Sequence, residues 1–199
     1  MASHAVTGLF DRYDDAAYAV RELENAGIPA RDISLVSNNV DGERETIATT
    51  DAGPGAATGA GVGGLAGGAV GALAGLGMMA IPGVGPVVAM GWLIATAAGA
   101  AAGAGVGAAA GGIIGTFMAA DVSEEDSNIY AEGIRRGGTV VTVKPDDDHW
   151  TVAEQILSRN SVNTAERGRL YRQSGWTRFD PDAPAYTLDE IKAERDLYL

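Results

Sequence analysis

Apolar and polar positions alternate along this chain in three regimes. At the start, Ala5-Val6-Thr7-Gly8-Leu9-Phe10 is a short β-prone run. Ala17, Val20, Leu23 and Ala26 then recur at helical spacing, with Asp14 as the expected N-cap and Gly27 and Pro29 as the stop. Ile33 to Ser37 reads as a second strand, and residues 38–50 read as a polar loop. After residue 122 the same grammar returns. Ser123-Glu124-Glu125-Asp126 is a capping box, and Ile129, Tyr130 and Ile134 share the face of the helix that follows. Gly137-Gly138 ends that helix. Thr139 to Val143 is the strongest strand in the chain, closed by Pro145. Asp147 or Asp148 is expected to cap a helix carrying Trp150, Ala153, Ile156 and Leu157, and 162–165 is expected to be a short last strand.

Strand-helix-strand twice over is the order of a ferredoxin-like (split βαβ) α+β domain. The expected division is 1–50 and 122–166 for the two halves of that domain, 51–121 for an insertion, and 167–199 for a tail. The tail is dotted with aromatics (Trp176, Phe179, Tyr186) and carries a capping box, Thr187 to Glu190, before a helix from 188. Docking of the tail on its own domain is weighed against docking on a neighbouring copy.

The insertion follows a third pattern. Residues 52–120 contain no Asp, Glu, Lys or Arg. Glycine recurs at every fourth position from Gly55 through Gly59, Gly63, Gly67 and Gly71 to Gly75. It does so again through Gly99, Gly103, Gly107, Gly111 and Gly115. A period of four places side chains on one ridge of a helix, where glycine admits a second backbone. The expected structure is a glycine-zipper hairpin of helices at about 57–79 and 87–120, turning at Pro82, Gly83, Gly85 and Pro86. The first helix would be roughly 34 Å long, close to a hydrocarbon core of about 30 Å. The absence of charge and the small-residue ridges favour a bilayer. The acidic flanks (Glu43, Glu45, Asp51, then Asp121, Glu124, Glu125, Asp126) oppose it, because the positive-inside rule asks for Lys or Arg there. The alternative is an assembly in which hairpins from several copies bury one another. Either way the glycine rows are expected to mediate self-association.

Composition narrows the chemistry. The net charge of −12 over 199 residues argues against a nucleic-acid surface and against attachment to anionic lipid. Cysteine is absent, which removes disulfides and thiolate metal sites and fits a reducing compartment. No signal peptide is indicated at the start. Gly59-Ala60-Gly61-Val62-Gly63-Gly64 matches a dinucleotide fingerprint. It lacks the preceding strand and the acid about twenty residues on, so no cofactor is expected. Asp146-Asp147-Asp148-His149 reads as a loop and helix cap, and no metal is expected. His4 and His149 have no serine or carboxylate at telling spacing, so no enzyme is expected. Arg167, Arg169, Arg172 and Arg178 are expected to pair with local acids or dock the tail.

These residues resemble a family. Val6-Thr-Gly-Leu-Phe-Asp11, Ala16-Ala17, Val20, Leu23, Ala26-Gly27-Ile28-Pro29 and Asp32-Ile33-Ser34-Leu35-Val36 are similar to the bacterial YflT, or general stress protein 17M-like, domain. Ile81 to Pro86, Tyr130-Ala-Glu-Gly-Ile-Arg-Arg-Gly-Gly138, Gly175-Trp176 and Phe179-Asp180 extend the likeness over nearly the whole chain. The resemblance implies a stress-associated, membrane-associated bacterial protein without known catalysis, and it supplies no catalytic residues. The expected function is a non-enzymatic, self-associating stress protein. Its hairpin would lie in the inner membrane and its α/β domain in the cytoplasm. A cytoplasmic homo-oligomer is the second reading and a small-ligand sensor the third.

Overall fold

The computed structural model describes residues 5–42, 77–93 and 112–197. The order is β1 (Val6–Phe10), α1 (Tyr13–Asn25), β2 (Ile33–Asn38), β3 (Gly77–Ile81), β4 (Gly85–Met90), α2 (Gly112–Met118) and α3 (Glu124–Arg135). It continues with β5 (Thr139–Val143), α4 (Trp150–Ser158), α5 (Thr164–Gln173) and α6 (Leu188–Asp196). The strands form one antiparallel sheet in the order β1-β5-β2-β4-β3. β1 and β2 run parallel to each other and flank antiparallel β5, with α1 making the crossover.

Both faces of the sheet are covered, which is why β2 and β5 are buried at every residue. Alternation sorts the side chains. Phe10, Ile33, Leu35, Val141 and Val143 face α1 and α4, where they meet Val20, Leu23, Ala153 and Leu157. Leu9, Val36, Val87, Ala89 and Val140 face the other way, against Phe117 of α2 and Tyr130 and Ile134 of α3. Ser37 and Thr139, opposite each other on buried strands, satisfy one another at 2.7 Å.

Several expectations are met and several corrected. Ser123 caps α3 by accepting from the Asp126 N–H at 3.1 Å. Thr187 and Glu190 make a reciprocal box at the start of α6. At α1 the N-cap is Arg12 rather than Asp14, which lies in the first turn. At α4 it is His149, whose N–H is held by Asp146 at 2.9 Å, rather than Asp147 or Asp148. The last strand expected at 162–165 is replaced. Val162 donates to the Leu9 carbonyl at 2.7 Å, and then Asn163 caps α5 through the Glu166 N–H. One ladder bond forms on the outer edge of β1, and the helix cap takes the chain away from it.

The largest correction concerns the hairpin. Its reversal falls at 82–84 as expected, but it joins strands, not helices. The helices expected at 57–79 and 87–120 therefore fail at their facing ends. Val87 and Val88 are β-branched, and Pro86 cannot donate within a helix. The glycine period itself stops at Gly75 and resumes at Gly99, so the ribbon lies between the two rows. The part of the 51–121 insertion from Gly77 to Met90 belongs to the sheet.

This changes the membrane argument. The turn at 82–84 joins two paired strands, Gly77–Ile81 and Gly85–Met90, of the sheet. A bilayer hairpin turning at Pro82–Pro86 does not fit this topology. Among the described residues, no helix is long and apolar enough to cross a membrane.

Candidate functional site

Two regions carry the expected and the unexpected site residues. The expected one is the glycine rows. Gly59, Gly63, Gly67, Gly71, Gly75, Gly99, Gly103, Gly107 and Gly111 lie outside the described residues. So does the fingerprint at 59–64. Gly115 lies in α2, and a Cβ added there would meet no described atom within 4 Å. Gly83 and Gly85 adopt positive φ of 74° and 94°, as the tight turn after Pro82 requires. A Cβ on Gly83 would stand 2.6 Å from the Asp180 carbonyl, because the tail passes directly over the turn.

The unexpected region is a buried arginine–carboxylate cluster at the C-terminal end of α3. Glu132 is 1 % exposed. It accepts from Arg136 Nε at 2.7 Å and lies 3.5 Å from Arg135 Nη1. Arg136 reaches on to Glu194 of α6 at 2.9 Å and stacks over Tyr171 of α5 at 4.3 Å. Burial works to lower the Arg136 pKa. The Glu132 hydrogen bond and charge, with the Glu194 charge, outweigh it and leave the value raised. Arg135 donates to the Pro184 carbonyl at 3.0 Å and lies over the Tyr186 ring at 4.7 Å. Beside them Arg167 grips Asp11 with two bonds of 2.8 and 2.7 Å. Burial opposes its charge and the Asp11 hydrogen bond restores it, so its pKa is also raised. Between these groups is a cavity of about 10 Å³ lined by Asp11, Gly133, Arg136, Gly138, Arg167, Tyr171 and Arg195, the room of about one water.

Chemically this is a clamp. Arg136 and Arg167 each hold carboxylates from a different segment, and together they fasten α5 and the tail to the core. Apolar anchors complete it: Phe179 is buried in the cluster with Val84, and Ile191 covers Gly137. The tail therefore docks on its own chain. Arg167 and Arg172 pair with Asp11 and Glu125, acids 156 and 47 residues away in sequence rather than the local acids expected. The sequence reading missed Glu132, Arg136, Glu194 and Asp11. Glu132 and Arg136 at i, i+4 before a double glycine were the available signal. Nothing local marks Asp11 or Glu194.

At 146–149, His149 Nδ1 and Asp146 Oδ1 are 2.5 Å apart on the surface. The bonds from His149 hold the Asp146 pKa below the usual range. Among the described residues no three metal-ligating side chains gather.

No curated protein and no solved structure matches the chain. Residues 5–84, from the start of β1 to the turn after β3, match the family described as the heat induced stress protein YflT domain, the family that the opening strand–helix–strand resembles.

Proposed function

We propose that this chain is a non-enzymatic, self-associating stress protein whose α/β domain is the mount for two glycine-rich segments. The stress assignment follows the YflT match over 5–84. The β3–β4 ladder carries the rest. Gly77 pairs with Ala89, so the end of the first glycine segment and the start of the second leave the same end of the sheet. Paired strands stand roughly 5 Å apart. The two segments proposed to pack through these ridges are thus reached from neighbouring strands. Packed rows remove from water an uncharged stretch that one small domain has little surface to cover. Copies of a chain with a net charge of −12 also meet most cheaply where charge is absent. The clamp supports the non-enzymatic reading, since Arg136 and Arg167 are engaged by Glu132, Glu194 and Asp11.

The test is sedimentation equilibrium on the full chain and on Gly67→Leu and Gly107→Leu. The expected result is a discrete oligomer for the parent and a lower mass for each variant, with the far-UV spectrum of the domain kept. A parent that stays monomeric, or variants of unchanged mass, would refute the proposal.

A further inference from the structure

The two edges of the sheet are treated differently. At the β1 edge, Val162 donates to the Leu9 carbonyl and Arg167 bridges to Asp11, so α5 and its lead-in stand against the strand. At the β3 edge, nothing among the described residues pairs with the outer side. β3 reads Gly-Met-Met-Ala-Ile. It has none of the usual protections: no charge, no proline within it, and no helix laid over it among the described residues.

The direction of its free groups follows from a neighbour. A strand residue points its N–H and C=O to the same edge. Asn39 donates to the Pro86 carbonyl at 2.9 Å, so Pro86 faces β2. Pro86 stands opposite Ala80. Ala80, and Met78 two residues before it, therefore point their N–H and C=O away from β4. The Val84 bond to the Ile81 carbonyl agrees, since it places Ile81 on the inner side.

We infer that the outer edge of β3 pairs with β3 of a second copy, joining two sheets into one. A two-fold axis at Met79 sets Met78 of each copy opposite Ala80 of the other and makes four backbone hydrogen bonds. That contact is isologous and closed. A second copy is favoured on two grounds. β3 lies inside the uncharged span 52–120, so two acidic chains meet there without opposing carboxylates along the strand. The chain's own flanking segments are dense in glycine, which is depleted in strands, whereas another β3 is a ready strand. This inference rests on the self-association proposed above and names its seam.

Ala80→Pro is the selective perturbation. It deletes an outward N–H and no β3–β4 bond, a place where strands accept proline. In sedimentation equilibrium of the full chain, the mass is expected to fall at least two-fold against the parent, with far-UV spectrum and melting temperature retained. Ala80→Lys, which keeps the N–H and adds a charge at the exposed position, is expected to act the same way if the proline variant misfolds. In amide-resolved hydrogen exchange of the parent, Met78 and Ala80 should be protected at high concentration and lose protection on dilution. Parent-like mass in both variants would overturn the inference, as would protection that does not change with concentration, the sign of cover by the chain itself. If Gly67→Leu and Gly107→Leu lower the mass while Ala80→Pro does not, the edge inference fails and the glycine-row reading stands.

Discussion

Glu132→Ala tests the clamp most sharply. The substitution removes the carboxylate that holds Arg136 at 2.7 Å and lies beside Arg135 at 3.5 Å. Arg136 is only 8 % exposed, so it would be left as a buried charge short of a partner. Breaking a buried pair from one side costs about 3–5 kcal/mol. Arg136 keeps Glu194 at 2.9 Å and the Tyr171 ring, which places the loss near the lower end, about 3 kcal/mol. For a chain of this size each kcal/mol lowers the melting temperature by about 2–4 °C, so the expected fall is about 6–12 °C. Glu194→Ala is the comparison. Glu194 is 19 % exposed and Arg136 retains Glu132, so about 1 kcal/mol and about 2–4 °C are expected. Adding Arg136→Met to Glu132→Ala should recover part of the loss, because the stranded charge is gone. Differential scanning calorimetry at neutral pH reads all three. Equal shifts for Glu132→Ala and Glu194→Ala would refute the reasoning, as would a double variant less stable than Glu132→Ala.

Two further outcomes follow from the same packing. Burial, and then the charge of Asp126, raise the Tyr130 pKa above its usual 10.0. A group raised on folding contributes fully below its unfolded pKa and loses that contribution as pH rises toward the folded value. Above about pH 10, stability should fall by up to about 1.4 kcal/mol per pH unit, and Tyr130→Phe should flatten that slope in urea titrations; an unchanged slope would count against the burial argument. Gly67→Leu and Gly107→Leu, which lie outside the described sheet, should leave the Glu132-dependent melting shift as it is even while they lower the oligomer mass.

Most of the fold was legible where local signals agree with tertiary demand. The alternation in β1, β2 and β5, the face of α3 and the box at Thr187 all stand where pattern and capping place them. The β3–β4 ribbon was hidden by a choice of signal. The absence of charge from 52 to 120 suggested one element, while the interruption of the glycine period between Gly75 and Gly99 marked the boundary. The strand at 162–165 lost to a competing local bond, the Asn163 cap. The clamp was least legible. Asp11 and Arg167 are joined by tertiary folding alone, 156 residues apart in sequence. The glycine rows, the clearest motif, lie mostly outside the described residues.

Residues 77–90 form a ribbon of the sheet rather than the turn of a helical hairpin. Since Pro86 faces β2, Val36 and Ala89 form a non-hydrogen-bonded pair across β2 and β4. Such pairs hold Cα atoms about 4.5 Å apart, within the range of a disulfide. The chain has no cysteine, so Val36→Cys/Ala89→Cys reports without background. Mild oxidation followed by mass spectrometry of unreduced peptides should find one intrachain bond linking the two positions in nearly every molecule. Two free thiols, or bridges formed only between chains, would contradict the ribbon and return Pro82–Pro86 to the helical hairpin.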